Sequence, residues 1–288
     1  MERRLLDATE RLMSEGASFT ELSVDRLSTE AGISRASFYI YFEDKAHLLR
    51  RLARQVMSDL ADGGQRWWGV AWRHDPDDVR AAMDLIHADV LAIHLNFLQE
   101  MVQPEGDRRS KGCLERIGEL AARFPVLVKE TGAGISREVA EELRARSVKA
   151  FDVSGTGGTS FAAVEYYRAV EQGAEREARV GKTFWNWGIP SPISVLELVP
   201  LGIPVVASGG VRSGLDVARA LALGATAAGT AGGMLRAAAT DYLATRKELE
   251  FLVHELKVAM FLTGSRTVAD LQKSPYLLTG ESRLWRRR

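Results

Sequence analysis

The sequence predicts two folds in one chain: a small all-α bundle, followed by an α/β region of parallel strands that falls short of a closed barrel. Up to about residue 84 the apolar residues recur at helical spacing, and from residue 85 they gather into short runs separated by helical stretches. The polar and glycine-rich residues of the second part stand at the ends of those runs, where barrel sites are built. The expected domains are therefore 1–84 and 85–288.

In the first helix Leu5, Ala8, Leu12 and Met13 share one face and Glu2, Arg3, Glu10 and Arg11 the other, and Gly16 stops it. Ser23 caps a second helix carrying Val24, Leu27 and Ala31, which Gly32 ends. Ser34 caps a third, with Phe38, Tyr39 and Phe42 on its apolar side. Two short helices joined by a tight glycine-containing turn form the helix-turn-helix pattern, with residues 34–41 as the reader helix. A fourth helix over 48–72 ends in Trp67, Trp68 and Trp72. The expected core is Leu5, Leu12, Leu27, Phe38, Phe42 and Leu49. Basic and acidic side chains nearly balance here, so no strong positive field speaks for nucleic acid and that case rests on the motif. The plainer reading is a three-helix unit with aromatic core and solvated charges.

The run Leu22-Ser23-Val24-Asp25-Arg26-Leu27, then Ala31 to Phe42 with Phe38-Tyr39-Ile40-Tyr41-Phe42 and Lys45, closely resembles the head of TetR-family repressors. The resemblance implies DNA as a partner. Ser37, Tyr39, Tyr41 and Lys45 would meet phosphates, and Ser34, Arg35 and Ile40 base edges; Ile40 stands where a polar reader is common. Hydroxyls and a lysine suit phosphate because they bind it whatever the base. The helical ligand and dimer domain of that family has no counterpart after residues 76–83.

In the second part, strands are expected at 89–95, 125–129, 150–154, 204–208 and 225–231, nearly continuous in Val, Ile, Leu and Ala, as for parallel strands buried on both faces. Helices are expected at 111–123, 136–146, 161–173, 193–201 and 215–223. His94 and Asn96 end the first strand, Lys129 and Glu130 the second, Ser154 to Ser160 the third and Ser208 to Arg212 the fourth. The last two are glycine-rich turns before helices, which let backbone N–H groups reach a phosphate, though tight turns use glycine as well.

Ala92-Ile93-His94-Leu95-Asn96-Phe97-Leu98-Gln99-Glu100, Val128-Lys129-Glu130-Thr131-Gly132, Phe184-Trp185-Asn186-Trp187-Gly188 and Ser208-Gly209-Gly210-Val211-Arg212 resemble type 2 isopentenyl diphosphate isomerase over roughly residues 85–283. The resemblance implies an FMN-type TIM barrel reduced to strands 4 to 8, isomerising isopentenyl diphosphate to dimethylallyl diphosphate with FMN, Mg²⁺ and NADPH as flavin reductant. Glu100 would hold Mg²⁺, Gln99 and Asn96 the substrate, and His94 the diphosphate side. Lys129 would sit by the flavin ring with Ser154, Thr159 and Ser160 near it, and Gly209, Gly210, Arg212, Ala231 and Gly232 would cradle the FMN phosphate. Phe97, Asn186 and Phe161 depart from the family's usual Pro, Asp and Trp. The three missing strands normally supply basic residues for the diphosphate, so the resemblance implies a homo-oligomer or a partner that completes the barrel. An FMN-dependent 2-hydroxy-acid oxidase would need a His and an Arg near Gly155 to Thr159, and neither is there. Two further alternatives are a TetR-type regulator with a replaced sensor, and a chimera of two gene fragments without joint function.

The 288 residues suffice for two modest cores, and 38 basic against 38 acidic side chains leave no net charge to attract nucleic acid or membrane. The single cysteine, Cys113, excludes an intramolecular disulfide and fits a reducing cytoplasm. No apolar run reaches membrane-spanning length, and the charged start lacks the core of a signal peptide.

Overall fold

The computed structural model describes residues 1–14, 22–45, 47–48, 51, 75–95, 97–103, 106 and 109–285. The chain divides into two compact units, Met1–Gly69 and Val70–Arg288, earlier than the expected boundary at 84/85. The reason is α4: Pro76–Leu85, capped by Asp75, buries Val79 in the core of the second unit.

In the first unit, α1 (Glu2–Ser14), α2 (Val24–Glu30) and α3 (Arg35–Tyr41) pack around Leu5, Leu6, Leu12, Leu22, Leu27, Phe38, Phe42 and Leu48. Both predicted caps form: the Ser23 hydroxyl accepts the Arg26 N–H at 3.1 Å and the Ser34 hydroxyl the Ser37 N–H at 3.1 Å. Gly32 turns the chain between α2 and α3 at φ +65°. Tyr39, expected on the apolar side, is instead half exposed, because the core takes Phe38 and Phe42 and the residue between is turned toward water. The expected core residue Leu49 and the tryptophans Trp67, Trp68 and Trp72 lie outside the described residues, as do the side chain of Met13 and most of the expected fourth helix.

In the second unit five parallel strands, β1 (Leu91–His94), β2 (Val126–Lys129), β3 (Ala150–Asp152), β4 (Val205–Ala207) and β5 (Ala227–Ala228), lie in sequence order in one open sheet. All five expected strands are present and shorter than read. The connections carry α5 (Phe97–Val102), α6 (Cys113–Ala121), α7 (Arg137–Ala145), α8 (Phe161–Glu171), α9 (Glu175–Thr183), α10 (Ser191–Leu198) and α11 (Gly214–Ala222), and after β5 follow α12 (Gly232–Thr240), the long α13 (Tyr242–Leu262), α14 (Val268–Leu271) and α15 (Glu281–Trp285).

Register sorts the side chains. Ile93, Val128, Phe151 and Val205 are mutual neighbours across four strands and share one buried core with Ile117, Leu120, Leu143, Leu198 and Ala220 of the helices. The opposite face carries Ala92, His94, Leu127, Lys129, Asp152 and Val206, which are partly or fully exposed. The strands are therefore buried on one face rather than on both as expected. An unclosed sheet leaves its inner face, the lumen of a full barrel, partly open to water.

Candidate functional site

Because every strand is parallel, all the C-terminal ends lie along one edge of the sheet, and the register aligns their last residues. His94 pairs with Lys129, Lys129 with Asp152, and Asp152 with Val206, so His, Lys and Asp stand side by side on the inner face. The burial of His94, with the positive Lys129 beside it as a smaller effect, holds the imidazole below its ordinary pKa and so neutral at pH 7. The Asp152 carboxylate accepts a short hydrogen bond from the Ser208 hydroxyl, which joins the ends of β3 and β4.

A cleft of about 620 Å³ opens above this row, and its walls carry Lys129, Ser154, Thr159, Gly209, Gly210, Arg212, Ala231 and Gly232 together, all from the expected cofactor set. Ser160 lies elsewhere: its hydroxyl donates to the Trp185 carbonyl and caps α8 by accepting the Ala163 N–H at 3.2 Å. It borders a much smaller pocket shared with Gln99, Glu130, Phe161 and Trp187. His94 and Glu100 line neither space, and Asn96 lies outside the described residues.

The glycines divide by what surrounds them. Gly209 and Gly210 have φ of +83° and +93°, and a Cβ on Gly210 would come within 2.5 Å of the Gly157 carbonyl oxygen. Their bareness lets the loops after β3 and β4 stack backbone on backbone. Arg212 crosses the same junction, donating from Nη2 to the Gly157 carbonyl at 2.9 Å. Gly232 and Gly233 face open space, and they begin α12, whose cap Ala231 offers no side-chain acceptor. Three features of the cleft fit FMN: uncovered N–H groups at the start of α12 for a phosphate, the Lys129 side chain in its wall, its ammonium donating to the Glu130 carbonyl at 3.1 Å, and the Thr131 hydroxyl, which is buried without a hydrogen-bond partner in the cleft wall.

Residues unread in the sequence complete the site. Asp152, Thr230 and Arg236 line the cleft with Ser208, which the sequence had already placed at a strand end, and Asp152 was discoverable as an acid ending an apolar strand. Glu165 on α8 is 2 % exposed and gathers three partners: Oε1 accepts from the amides of Gln99 at 2.8 Å and Gln103 at 2.9 Å, and Oε2 from Arg168 Nη1 at 2.7 Å. No sequence pattern marks a partner 66 residues from Gln99. Glu130 is buried, and burial pushes its pKa up against the backbone N–H groups of Thr131 and Ala133 that donate to it. Among the described residues no three His, Cys, Asp or Glu side chains gather as a metal centre.

In the first unit, Tyr39, Ile40 and Tyr41 are exposed on α3. Arg35 Nη1 rests 3.4 Å from Asp25 Oδ2 across an exposed contact, and the Ser34 and Ser37 hydroxyls are 2.9 Å apart. Lys45 is half-buried.

The comparisons with known proteins agree with these two units. Residues 5–52 match the family of bacterial regulatory proteins of the tetR family, and residues 113–278 the FMN-dependent dehydrogenases. The isopentenyl-diphosphate delta-isomerase of Thermoplasma acidophilum is 51 % identical over 208 residues, 72 % of this chain and 60 % of that protein. That of Halobacterium salinarum is 47 % identical over 213 residues, 73 % of this chain and 59 % of that protein. The chain thus spans about 60 % of the length of these relatives. A mandelate oxidase variant bearing a monooxide FMN adduct shares the fold with a TM-score of 0.51 at 21 % identity, over 72 % of this chain and 60 % of that one. With more than half of its residues matched and the open barrel and cleft in place, the chain belongs to the FMN-dependent dehydrogenase family, with a tetR-type head joined to it.

Proposed function

We propose that the second unit is the FMN-binding part of a type 2 isopentenyl diphosphate delta-isomerase and that it turns over only when three further βα units close its barrel. The single observation that carries this reading is the cleft at the C-terminal edge, where two stacked glycine loops, Lys129 and the start of α12 converge. FMN, when bound and reduced by NADPH, would supply the proton-transfer chemistry of a redox-neutral double-bond shift. The chain's own residues would bind and orient. Lys129 would place a positive charge toward the flavin, Ser154 and Thr159 would line its bed, and Gly232 would open the phosphate end, all four standing in the cleft wall. Gln99, its amide fixed by Glu165, would offer its carbonyl oxygen to the substrate. His94, neutral, donates one N–H toward the diphosphate rather than a charge. Glu100 would take Mg²⁺ with the diphosphate oxygens and water completing its shell, as magnesium commonly does with one carboxylate.

The first unit would place the same polypeptide on duplex DNA, with Tyr39, Tyr41 and Lys45 on phosphates. The balanced charges of the whole chain make such binding modest. A soluble, cytoplasmic location agrees with the reduced chemistry; among the described residues no helix is long and apolar enough to cross a membrane.

The test is an anaerobic assay with FMN, reductant, Mg²⁺ and isopentenyl diphosphate, run on the full chain alone and with the N-terminal 40 % or so of a relative expressed as a separate polypeptide. Turnover only in the mixture is expected. Full turnover by the chain alone, or none in either, contradicts the reading.

A further inference from the structure

The outward face of α3 is apolar at its centre. Phe38 and Phe42 are 0 % and 1 % exposed and fix the inward face, and Ile40, about 200° around the helix from each, is 76 % exposed. Ala36 lies one turn before Ile40 on the same side and is exposed as well. The rim is polar: Ser34, Ser37, Tyr39 and Tyr41 bring hydroxyls, Arg35 brings the helix's one charge, and α3 holds no acidic residue. A flat apolar centre in a rim of hydrogen-bond donors with a positive charge complements a groove floor between two phosphate backbones. The turn geometry of α2 and α3 and the tetR-family match identify that groove as the major groove of duplex DNA.

Resting on the reading that the head binds DNA, we propose that α3 reads thymine through its C5-methyl group, with Ile40 as the reader and Ala36 beside it. Isoleucine has neither donor nor acceptor, so against a G·C edge it would strip water from polar groups and return nothing. Thymine is the one base that presents an apolar group in the major groove. The apolar centre thus turns an absence of hydrogen bonds into a preference for one base.

The experiment uses the full-length protein and a pool of random duplexes, sequencing those retained. A fixed T·A pair is expected in the enriched site. Replacing that thymine by deoxyuridine removes only the methyl group, and binding by the parent protein should weaken roughly fourfold, the factor for one apolar carbon taken from water. Ile40→Ala should be indifferent to the same replacement, and Ile40→Asn should enrich a different base there. Enriched sites without a fixed thymine, or an equal response of the parent and Ile40→Ala to deoxyuridine, overturn the proposal while leaving DNA binding intact. No enrichment of any duplex overturns the DNA-binding reading and the proposal with it.

Discussion

Glu165 is the common acceptor that ties Gln99 and Gln103 of one segment to α8. Removing its carboxylate leaves two glutamine amides and the Arg168 guanidinium without their common acceptor in a place with 2 % exposure. Glu165→Ala should cost about 1–3 kcal/mol of stability in the second unit, since Arg168 is partly solvated and recovers some of its loss from water. A denaturation midpoint unchanged from the parent would contradict this. Glu130 gives a pH signature instead. Its folded pKa is raised, by burial first, so the stability it contributes is present below its unfolded pKa of about 4.3 and is lost as pH rises through the higher folded value. Glu130→Gln keeps an acceptor for the Thr131 N–H and carries no charge. The parent should lose stability relative to that variant as pH rises above about 4; parallel curves would show that the carboxyl is not burdened by its burial. Neither residue's role was legible in sequence. Lys129 and Glu130 stood out as polar residues ending a strand, whereas Glu165 sits within an amphipathic helix like any surface glutamate, and only the fold brings Gln99 to it.

At the scale of elements, caps and registers decide. The two serine caps of the head and the glycine between them were readable because each needs one residue type at one place, and both formed. Tyr39→Phe and Lys45→Ala should weaken binding to every duplex by about 1–3 kcal/mol, whereas Arg35→Ala, already drawn to Asp25, should shift sequence preference. Filter binding across several duplexes separates the two outcomes, and equal affinities for all variants would remove the reader-helix assignment. In the second unit the five strands and their order were legible from short apolar runs, but α9, α12 and α13 were not. Charge crowds α9, two glycines open α12, and α13 carries exposed apolar residues such as Phe251, Val253 and Leu262 on faces away from the buried Leu252 and Ala259. A helix apolar over most of its girth has no stripe to detect. The role of the glycine loop was only half legible: sequence suggested phosphate contact, while Gly210 is bare because Gly157 lies against it. Gly210→Ala should therefore loosen the stacked loops and weaken FMN binding by about tenfold or more, through the strain of its φ of +93° and the clash together. Retained affinity would mean that the loops do not need to stack.

The whole molecule presents an open sheet. Among the described residues β1 pairs with β2 alone, and the exposed Ala92 and Val90 stand along its other edge. Such an edge invites pairing with another chain, and a charge upon it discourages that. Ala92→Lys should lower self-association in sedimentation runs without moving the melting temperature of either unit; unchanged association would place the contact elsewhere. The sequence announced both halves and the shortfall between them, because strand runs can be counted, whereas the partly open inner face followed only from the register. On the reading proposed above, the open barrel holds FMN by its phosphate end, through the start of α12, and not by a closed pocket around the ring. The direct measurement is a fluorescence titration of the full chain with FMN and, in parallel, with riboflavin, which lacks the phosphate. The account predicts weak FMN binding that is nonetheless about tenfold or more tighter than riboflavin binding. Equal affinities, or stoichiometric tight FMN with substantial isomerase turnover by the chain alone, would contradict it.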